Sequence, residues 1–594
     1  MPAAAALTVS PAQANWRALA ASPMAVVGLW ALYAALRLAV LAVTGNAPGS
    51  PDDWMRLFEV RDLLSGQGWY DVAQHRLDPA GGGASMHWSR LVDLPLAAAI
   101  LLFGTLLPQA QAENAAIAIV PLLYLLGAMF ALRAIMRRLG MAWPAVLAGL
   151  ALLPLFPLLP GQFAPGSVDH HVPQAMLALC CAALLLNAGR EAAIVAGVLA
   201  AAWVNVSLEG LPLVAALGAA YGLAYLFWSE RRLAWFLGAL AISAPLLSLA
   251  TRPVSEFALP YCDILMPGHM AAFAAAALVA MALHFAPAQV RWQGRLAGLG
   301  TIAMVSVPVA LATLGRCASD PFAQLDPLLA TYWHGYITEG LPAWRQPLSV
   351  MAMLGWTLVI VLAGLRTAWR IPMERQREWL LLGVVASAAC LFSFLLLRAA
   401  LVAQLLAVPF AALLLAHYLP RARALASAAP RILATVFCFV LVTPAAASAL
   451  LKPIDPLFAQ ATMQAQVPAP IAAGSCEYAR LEALPQGHVL APLDASPEIL
   501  GRTRHTAVMA SYHRNQARMR DVLAAFTGSP GKALEIARAN GADYVVACLA
   551  ESDLALYRTA APGNFSNAIA AGDVAGMSVV PGFETGPLRV FRLD

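Results

Sequence analysis

The chain has 594 residues, 61% of them hydrophobic and 12% charged, with a mean hydropathy of +0.70 and a formal net charge of +5. These values exclude a soluble globular protein, and the arginines fall in small clusters between apolar runs rather than in one basic stripe, which excludes a nucleic-acid binder. A polytopic membrane protein remains.

Residues Met1 to Ser22 carry one arginine, and no small-residue cleavage site follows the first apolar run, so an uncleaved first helix is expected rather than a signal peptide. A bilayer core of about 30 Å needs about 20 apolar residues per helix. Thirteen runs answer to that, at about 24–44, 114–136, 142–160, 172–189, 191–207, 209–228, 232–250, 269–286, 296–314, 347–365, 379–397, 399–418 and 431–451. The run Leu91 to Leu107 is expected to be re-entrant or interfacial. Every compact basic cluster then lies on one side: Arg133/Arg137/Arg138, Arg231/Arg232, Arg291/Arg295, Arg366/Arg370/Arg375/Arg377 and Arg421/Arg423. That side is expected to be the cytoplasm of a bacterial-type inner membrane, with the segment after Leu451 on the periplasmic side.

Three acidic loops share that outer side. The first, Pro51-Asp52-Asp53-Trp54, continues through Arg61, Asp62 and Gly68-Trp69-Tyr70-Asp71. Its acids can ligate a divalent cation while its arginines hold phosphate oxygens, or they can simply cap a helix starting near Trp54. The second loop holds Asp169, His170 and His171. These suit a hard-cation site in which an imidazole assists, or a polar turn that caps the next helix. The third, Tyr332 to Pro342, brings aromatics and Glu339 in a stretch long enough to cover a site or to lie in the interface. Arg398 stands between two apolar runs, where an unpaired charge costs roughly 2.5 to 3.5 kcal/mol on insertion scales. It suits an anionic ligand, or it snorkels to the interface. Glu209, at another junction, is given no catalytic role.

Beyond Leu451 the pattern turns mixed. His488 to Leu493 and Tyr544 to Leu549 read as buried strands, Arg518 to Phe526 and Lys532 to Asn540 as helices, which together predict a small α/β external domain over 452–594 behind a helical membrane domain over 1–451. Asp494 to Glu498 and Ser511 to Asn515, including Tyr512 and His513, are polar clusters able to line a substrate groove. Cys180, Cys181, Cys390 and Cys438 lie in apolar runs and read as packing residues. The pairs Cys262/Cys317 and Cys476/Cys548 can form disulfides in an oxidising compartment, with at least one pair expected to stay as free thiols.

These pieces, in this order, resemble the catalytic subunit of oligosaccharyltransferases and the wider GT-C class of membrane glycosyltransferases, over nearly the whole chain. Asp52, Trp54 and Arg61 match the family's first-loop Asp, the Trp two residues on and the Arg nine residues on, and Gly68-Trp69-Tyr70-Asp71 resembles its continuation. Gly166-Ser167-Val168-Asp169-His170-His171 matches the Gly-x-x-Asp-x-Asp/Glu motif at the first acid, with His171 at the second. Tyr336 to Pro342 is similar to the Ser/Thr-x-x-Glu motif of the fifth external loop, and Arg398, followed by Pro409, to an Arg near the donor phosphates. The Trp-Trp-Asp that reads an Asn-x-Ser/Thr acceptor does not occur.

The resemblance implies a mostly α, GT-C-like bundle of about thirteen spans. It implies an integral membrane glycosyltransferase that moves a sugar or oligosaccharide from a polyprenyl phosphate or pyrophosphate donor to a lipid, glycan or protein acceptor other than such a sequon. Catalysis falls to Asp52, Asp53, Asp169 and Glu339, and substrate binding to Arg61, His170, Arg398, Tyr512 and His513. A magnesium or manganese ion would be held by Asp52, Asp169, His171 and Glu339. A lipid flippase or transporter, or a non-catalytic assembly subunit, is the alternative. The chain shows no inverted repeat or broken mid-span helix of the kind transporters carry.

Overall fold

The computed structural model describes residues 22–45, 49–259, 261–287, 290–318, 322, 325–370, 373–461 and 467–594, so the reading of the extreme N-terminus lies outside the described residues. Nine helices among these are long and apolar enough to cross a membrane, and the bent pair Ala428–Leu441 and Pro444–Phe458 makes a tenth if taken as one span. They match ten of the thirteen expected runs. The other three are shorter: 142–160 breaks after Trp143–Ala151, and His171–Leu185 and Arg190–Val206 have 15 and 17 residues. The apolar run after Ser89 forms the 15-residue helix Arg90–Gly104, capped by the Ser89 side chain and too short for an upright span.

Burial differs sharply between helices. Within an 18-residue apolar stretch of each, 89% of the residues are buried in Leu397–Arg423, against 6% in Trp292–Ala318 and 11% in Pro23–Thr44. In lipid a helix needs no apolar partner because the acyl chains are as apolar as leucine, so buried and lipid-facing helices read alike by hydropathy.

The first external loop is ordered by local chemistry. Ser50 caps the helix Pro51–Leu64, its Oγ accepting from the Asp53 N–H at 3.1 Å, and Pro51 supplies the fixed φ of a first helical position. Arg56, wholly buried, pairs with Asp93 at 2.7 Å and Glu59 at 3.6 Å and lies over Trp88, so this helix is locked to Arg90–Gly104. Two short strands follow, β1 (Ala73–Gln74) and β2 (Ala84–Ser85), paired antiparallel.

The C-terminal region is a five-stranded mixed sheet built from β3 (His488–Leu490), β4 (Thr506–Ala507), β5 (Tyr544–Cys548), β6 (Met577–Val579) and β7 (Leu588–Leu593), in the order β4-β3-β5-β7-β6. β3 runs parallel to both β4 and β5, and β7 is antiparallel to β5 and β6. All five residues of β5 are buried, the mark of a central strand covered on both faces. Pro492 stops β3 short of the expected Leu493, because a proline cannot donate to the ladder. The helices Gln516–Thr527 and Pro530–Ala539 are capped by Asn515 and Ser529.

This outer region is clamped to the first external loop. The Asp78 N–H donates to the Ala507 carbonyl at 3.0 Å and the Ala507 N–H to that of Arg76 at 2.9 Å, so the loop covers the free edge of β4. Arg76 reaches the carbonyls of Thr503 and His505, and Arg518 and Asn515 both bind Asp78. Arg514, 3% exposed in its side chain, forms two 2.9 Å bonds to Asp263 and lies 3.7 Å from Glu256. Both candidate cysteine pairs are bonded, Cys262 to Cys317 and Cys476 to Cys548, which corrects the expectation that one pair stays reduced. The physical reason is proximity through the fold: cysteines 55 and 72 residues apart in sequence are brought to Cα separations of 5.1 and 6.0 Å.

Candidate functional site

The second acidic loop is held against the first by Asp53. Its Oδ1 accepts from the backbone N–H groups of Val168 (2.7 Å) and Asp169 (3.1 Å), and its Oδ2 accepts from Ser50 Oγ at 2.8 Å. Both oxygens are thereby engaged, so Asp53 acts as a structural clamp between loops, with little freedom to take up a proton or an ion. Burial and the nearby Asp169 push its carboxyl up to about 6 against the hydrogen bonds that favour the charge.

Asp169, 7% exposed, accepts from the His170 backbone N–H at 2.6 Å, contacts His170 Nδ1 at 2.5 Å, and has Oδ2 3.4 Å from His171 Nε2. The two imidazoles are stacked at a tilt, their centroids 4.3 Å apart. Burial alone would raise the Asp169 carboxyl, yet His170 and His171 hold it well below the usual carboxylate range. Burial disfavours charge on His170, but Asp169 outweighs that and raises it. One ligand atom from each of Asp169, His170 and His171 lies within 4.8 Å of the others, close enough for a single ion.

Glu339 joins from the third loop, with Oε2 3.7 Å from His171 Nε2 and Oε1 accepting from Arg398 Nη2 at 2.7 Å. Arg398 is held on its other side by Glu209 at 2.5 Å, and Glu209 Oε2 lies 3.9 Å from His170 Nε2. Asp52 completes the group from the first helix turn. Burial, then Asp169 and Glu339, push its carboxyl up to about 7, and its Oδ1 accepts from the buried Tyr512 hydroxyl at 3.2 Å. Asp52, Asp169, His170, His171, Glu339, Arg398 and Tyr512 therefore meet in one place beneath the outer sheet.

Two expected residues do not join it. Arg61 stands nine residues after Asp52 on one helix, about 13 Å along the axis, and it is engaged by Glu113 at 2.7 Å and by the Gly501 carbonyl. Its contact with Gly501 ties it to the outer region. His513 faces a separate cluster, 3.0 Å from Asp263 and stacked on Trp333 at 6.1 Å between centroids. Glu209 is the residue that sequence reasoning passed over. Its signal was the absence of polar neighbours at a span junction, which in a membrane implies a distant partner.

No protein-family model and no curated protein matches the chain. Solved structures do. The archaeal oligosaccharyltransferase AglB from Archaeoglobus fulgidus, in complex with an inhibitory peptide and a dolichol-phosphate, matches with a TM-score of 0.63 at 14% identity, over 98% of this chain and 75% of that one. The same organism's enzyme tethered to an acceptor peptide containing the NVT sequon gives a TM-score of 0.63 at 13% identity, over 96% and 74%. Its complex with Zn and sulfate gives 0.55 at 14%, over 85% and 64%. The chain carries the fold of these archaeal oligosaccharyltransferase structures.

Proposed function

We propose that this protein is a membrane glycosyltransferase that moves a sugar from a polyprenyl phosphate or pyrophosphate to an acceptor on the periplasmic face of a bacterial-type inner membrane. The observation that carries the reading is the meeting of Asp52, Asp169, Glu339 and Arg398, drawn from three loops and a span junction, on the fold that AglB shares. The dolichol-phosphate and peptide of that complex support a lipid-linked donor entering from the bilayer and an acceptor entering beneath the outer region. The periplasmic side is supported by the two disulfides, which form in oxidising compartments and lie on the outer region's side.

The residues divide the work by charge. Arg398 offers charge-assisted hydrogen bonds to a donor phosphate, for which it exchanges the carboxylate of Glu339. Asp52, Asp169, Glu339 and His171 form the set to hold a divalent cation, with three carboxylates favouring magnesium or manganese. A cation there would neutralise charge on the leaving phosphate. Tyr512 positions Asp52, and Asp53 fixes the Asp169 loop.

The test is donor consumption by purified full-length protein in nanodiscs, with polyprenyl-linked sugars and a panel of metals. Asp169→Asn and Asp52→Asn should each lower turnover by about two to three orders of magnitude, the scale on which aligned electrostatic groups act. Near-normal turnover by both folded variants would remove the reading.

A further inference from the structure

Successive residues of the outer region lie against successive residues of the first external loop. Arg514 Nη1 donates to Ser85 Oγ and to the Met86 carbonyl, both at 3.1 Å. The His513 ring centre lies 5.5 Å from that of His87, and the Tyr512 ring centre 5.3 Å from that of Trp88. The two segments run in opposite directions, so each contact fixes the register of the next. Tyr512 follows β4, and β4, β3 and β5 are neighbouring parallel strands whose carboxyl ends lie along one edge. The helix Ser496–Arg502, which follows β3, packs on Pro51–Leu64 so closely that a Cβ at Gly501 would lie 2.6 Å from the Trp54 ring. The strand ends are thus turned towards the first turn of Pro51–Leu64, which carries Asp52.

The last of these contacts ends on the transfer site. Trp88 and Tyr512 are both buried, and their rings stand at 80° to each other, the edge-on arrangement that the charge distribution of aromatic rings prefers. The Arg56 guanidinium lies 4.2 Å over the centre of the Trp88 ring. Arg56 is itself held by Asp93, and it stands one turn after Asp52 on the same face of the helix. Trp88 therefore touches both the residue that bonds Asp52 and the cation one turn beyond it. A tyrosine hydroxyl swings with its ring about two side-chain torsions, and an edge-on neighbour in a buried place restricts both. The hydroxyl so directed donates to Asp52 Oδ1 at 3.2 Å, which leaves Oδ2 as the oxygen for a cation.

We propose that Trp88 is a positioning residue of the transfer site: it aims the Tyr512 hydroxyl at one oxygen of Asp52, so that docking of the outer region decides which Asp52 oxygen is left for an ion. The proposal rests on the sugar-transfer reading for the reaction it serves, while the orientation of Asp52 stands without it. Trp88 acts on the reaction through Tyr512.

The experiment is a double-variant cycle on full-length protein in nanodiscs, read by consumption of a polyprenyl-linked sugar and, separately, by manganese binding in calorimetry. Tyr512→Phe keeps the ring and removes the hydroxyl, and should lower turnover by about 10-fold, as the loss of a hydrogen bond to a charged group entails. Trp88→Leu should lower it by about 10-fold and Trp88→Phe by about 3-fold, the range of an aromatic pair. In the Tyr512→Phe background either Trp88 substitution should cost less than about 2-fold, because no hydroxyl is left to aim. A residue that only packs would cost the same in both backgrounds. Manganese affinity should follow the same pattern, Trp88→Leu and Tyr512→Phe each weakening it by at least ~10-fold and the pair no more than Tyr512→Phe alone. Should Trp88→Leu not fold, Trp88→Phe carries the cycle. Equal losses in both backgrounds, or near-normal turnover and manganese affinity in folded Trp88→Leu, overturn the proposal. Wild-type protein whose manganese binding shows the coupling yet which consumes no lipid-linked sugar refutes the transfer reading and leaves the positioning role standing. Normal consumption without the coupling does the reverse.

Discussion

Among the described residues two triangles share one composition, one aspartate and two histidines, each with ligand atoms within 4.8 Å: Asp169–His170–His171 and His87–Asp263–His513. Their surroundings make them different objects. Both oxygens of Asp263 are taken by Arg514 in a two-pronged pair, and Arg252 stands nearby, so the triangle is already neutralised by guanidinium groups. Asp169 forms no ion pair with a guanidinium: its side chain meets imidazoles and backbone, the buried Arg56 that acts on it is paired to Asp93 and Glu59, and Arg398 is shared by Glu209 and Glu339. One cluster is a bolt between the outer region and the membrane bundle; the other is a site with capacity left for a ligand. Residue type sets what a group can do, and its neighbours decide whether it is free to do it.

Arg514→Ala should break that comparison most. Removing one partner of a buried ion pair costs about 3 to 5 kcal/mol, and here Asp263 would lose both bonds to Arg514 and keep only His513, while Glu256 keeps Arg252. Hydrogen exchange in the β4 edge and in Cys262–Asp263 should rise together, with the bundle unaffected. Asp169→Asn comes next, lowering transfer by about 2.7 to 4 kcal/mol of transition-state stabilisation with exchange at the β4 edge unchanged. A third contrast lies in metal affinity. His171→Ala should weaken manganese or zinc binding by at least ~10-fold, measured by calorimetry, while His513→Ala leaves it within about 2-fold because Arg514 already satisfies Asp263. Equal effects of the two histidine variants would make the triangles equivalent and undo the contrast.

The smallest effect concerns pH. The carboxyl of Glu551 is raised by burial from 4.5 to about 7, with Asp494 and Glu498 adding to the rise against the Tyr478 hydrogen bond. The folded protein therefore binds more protons at Glu551 than the unfolded chain between these values, and its stability should fall as pH climbs from 4.5 to about 7 and level off above. Hydrogen exchange of β5 read across that window checks the sign.

Much of this was legible in the sequence because membranes impose simple rules. Apolar runs of span length, arginines on one side and acids in the opposite loops follow from the cost of placing charge in hydrocarbon, and they marked the bundle, the three loops and the mixed outer region. Asp52, Asp169, Glu339 and Arg398 could be picked out because each is expensive where it stands. The difference between Asp52 and Asp53 was not legible, since adjacent acids on a helix point in different directions and only one reaches the Val168 and Asp169 amides. Arg61 matched a motif position yet turned towards Glu113, 52 residues on, and Glu209 needed Arg398, 189 residues away, to acquire a purpose.

The sequence by itself determined that long apolar helices dominate the chain, that acidic loops join them, and that an α/β unit follows, because hydropathy and charge act locally and additively along a chain. Tertiary structure alone decided which acids are free and which are clamped, that both outer cysteine pairs close, and that the strand ends of the outer sheet face Asp52. Those outcomes depend on contacts between residues tens to hundreds of positions apart, where the energy of a charge is set by what the fold places against it.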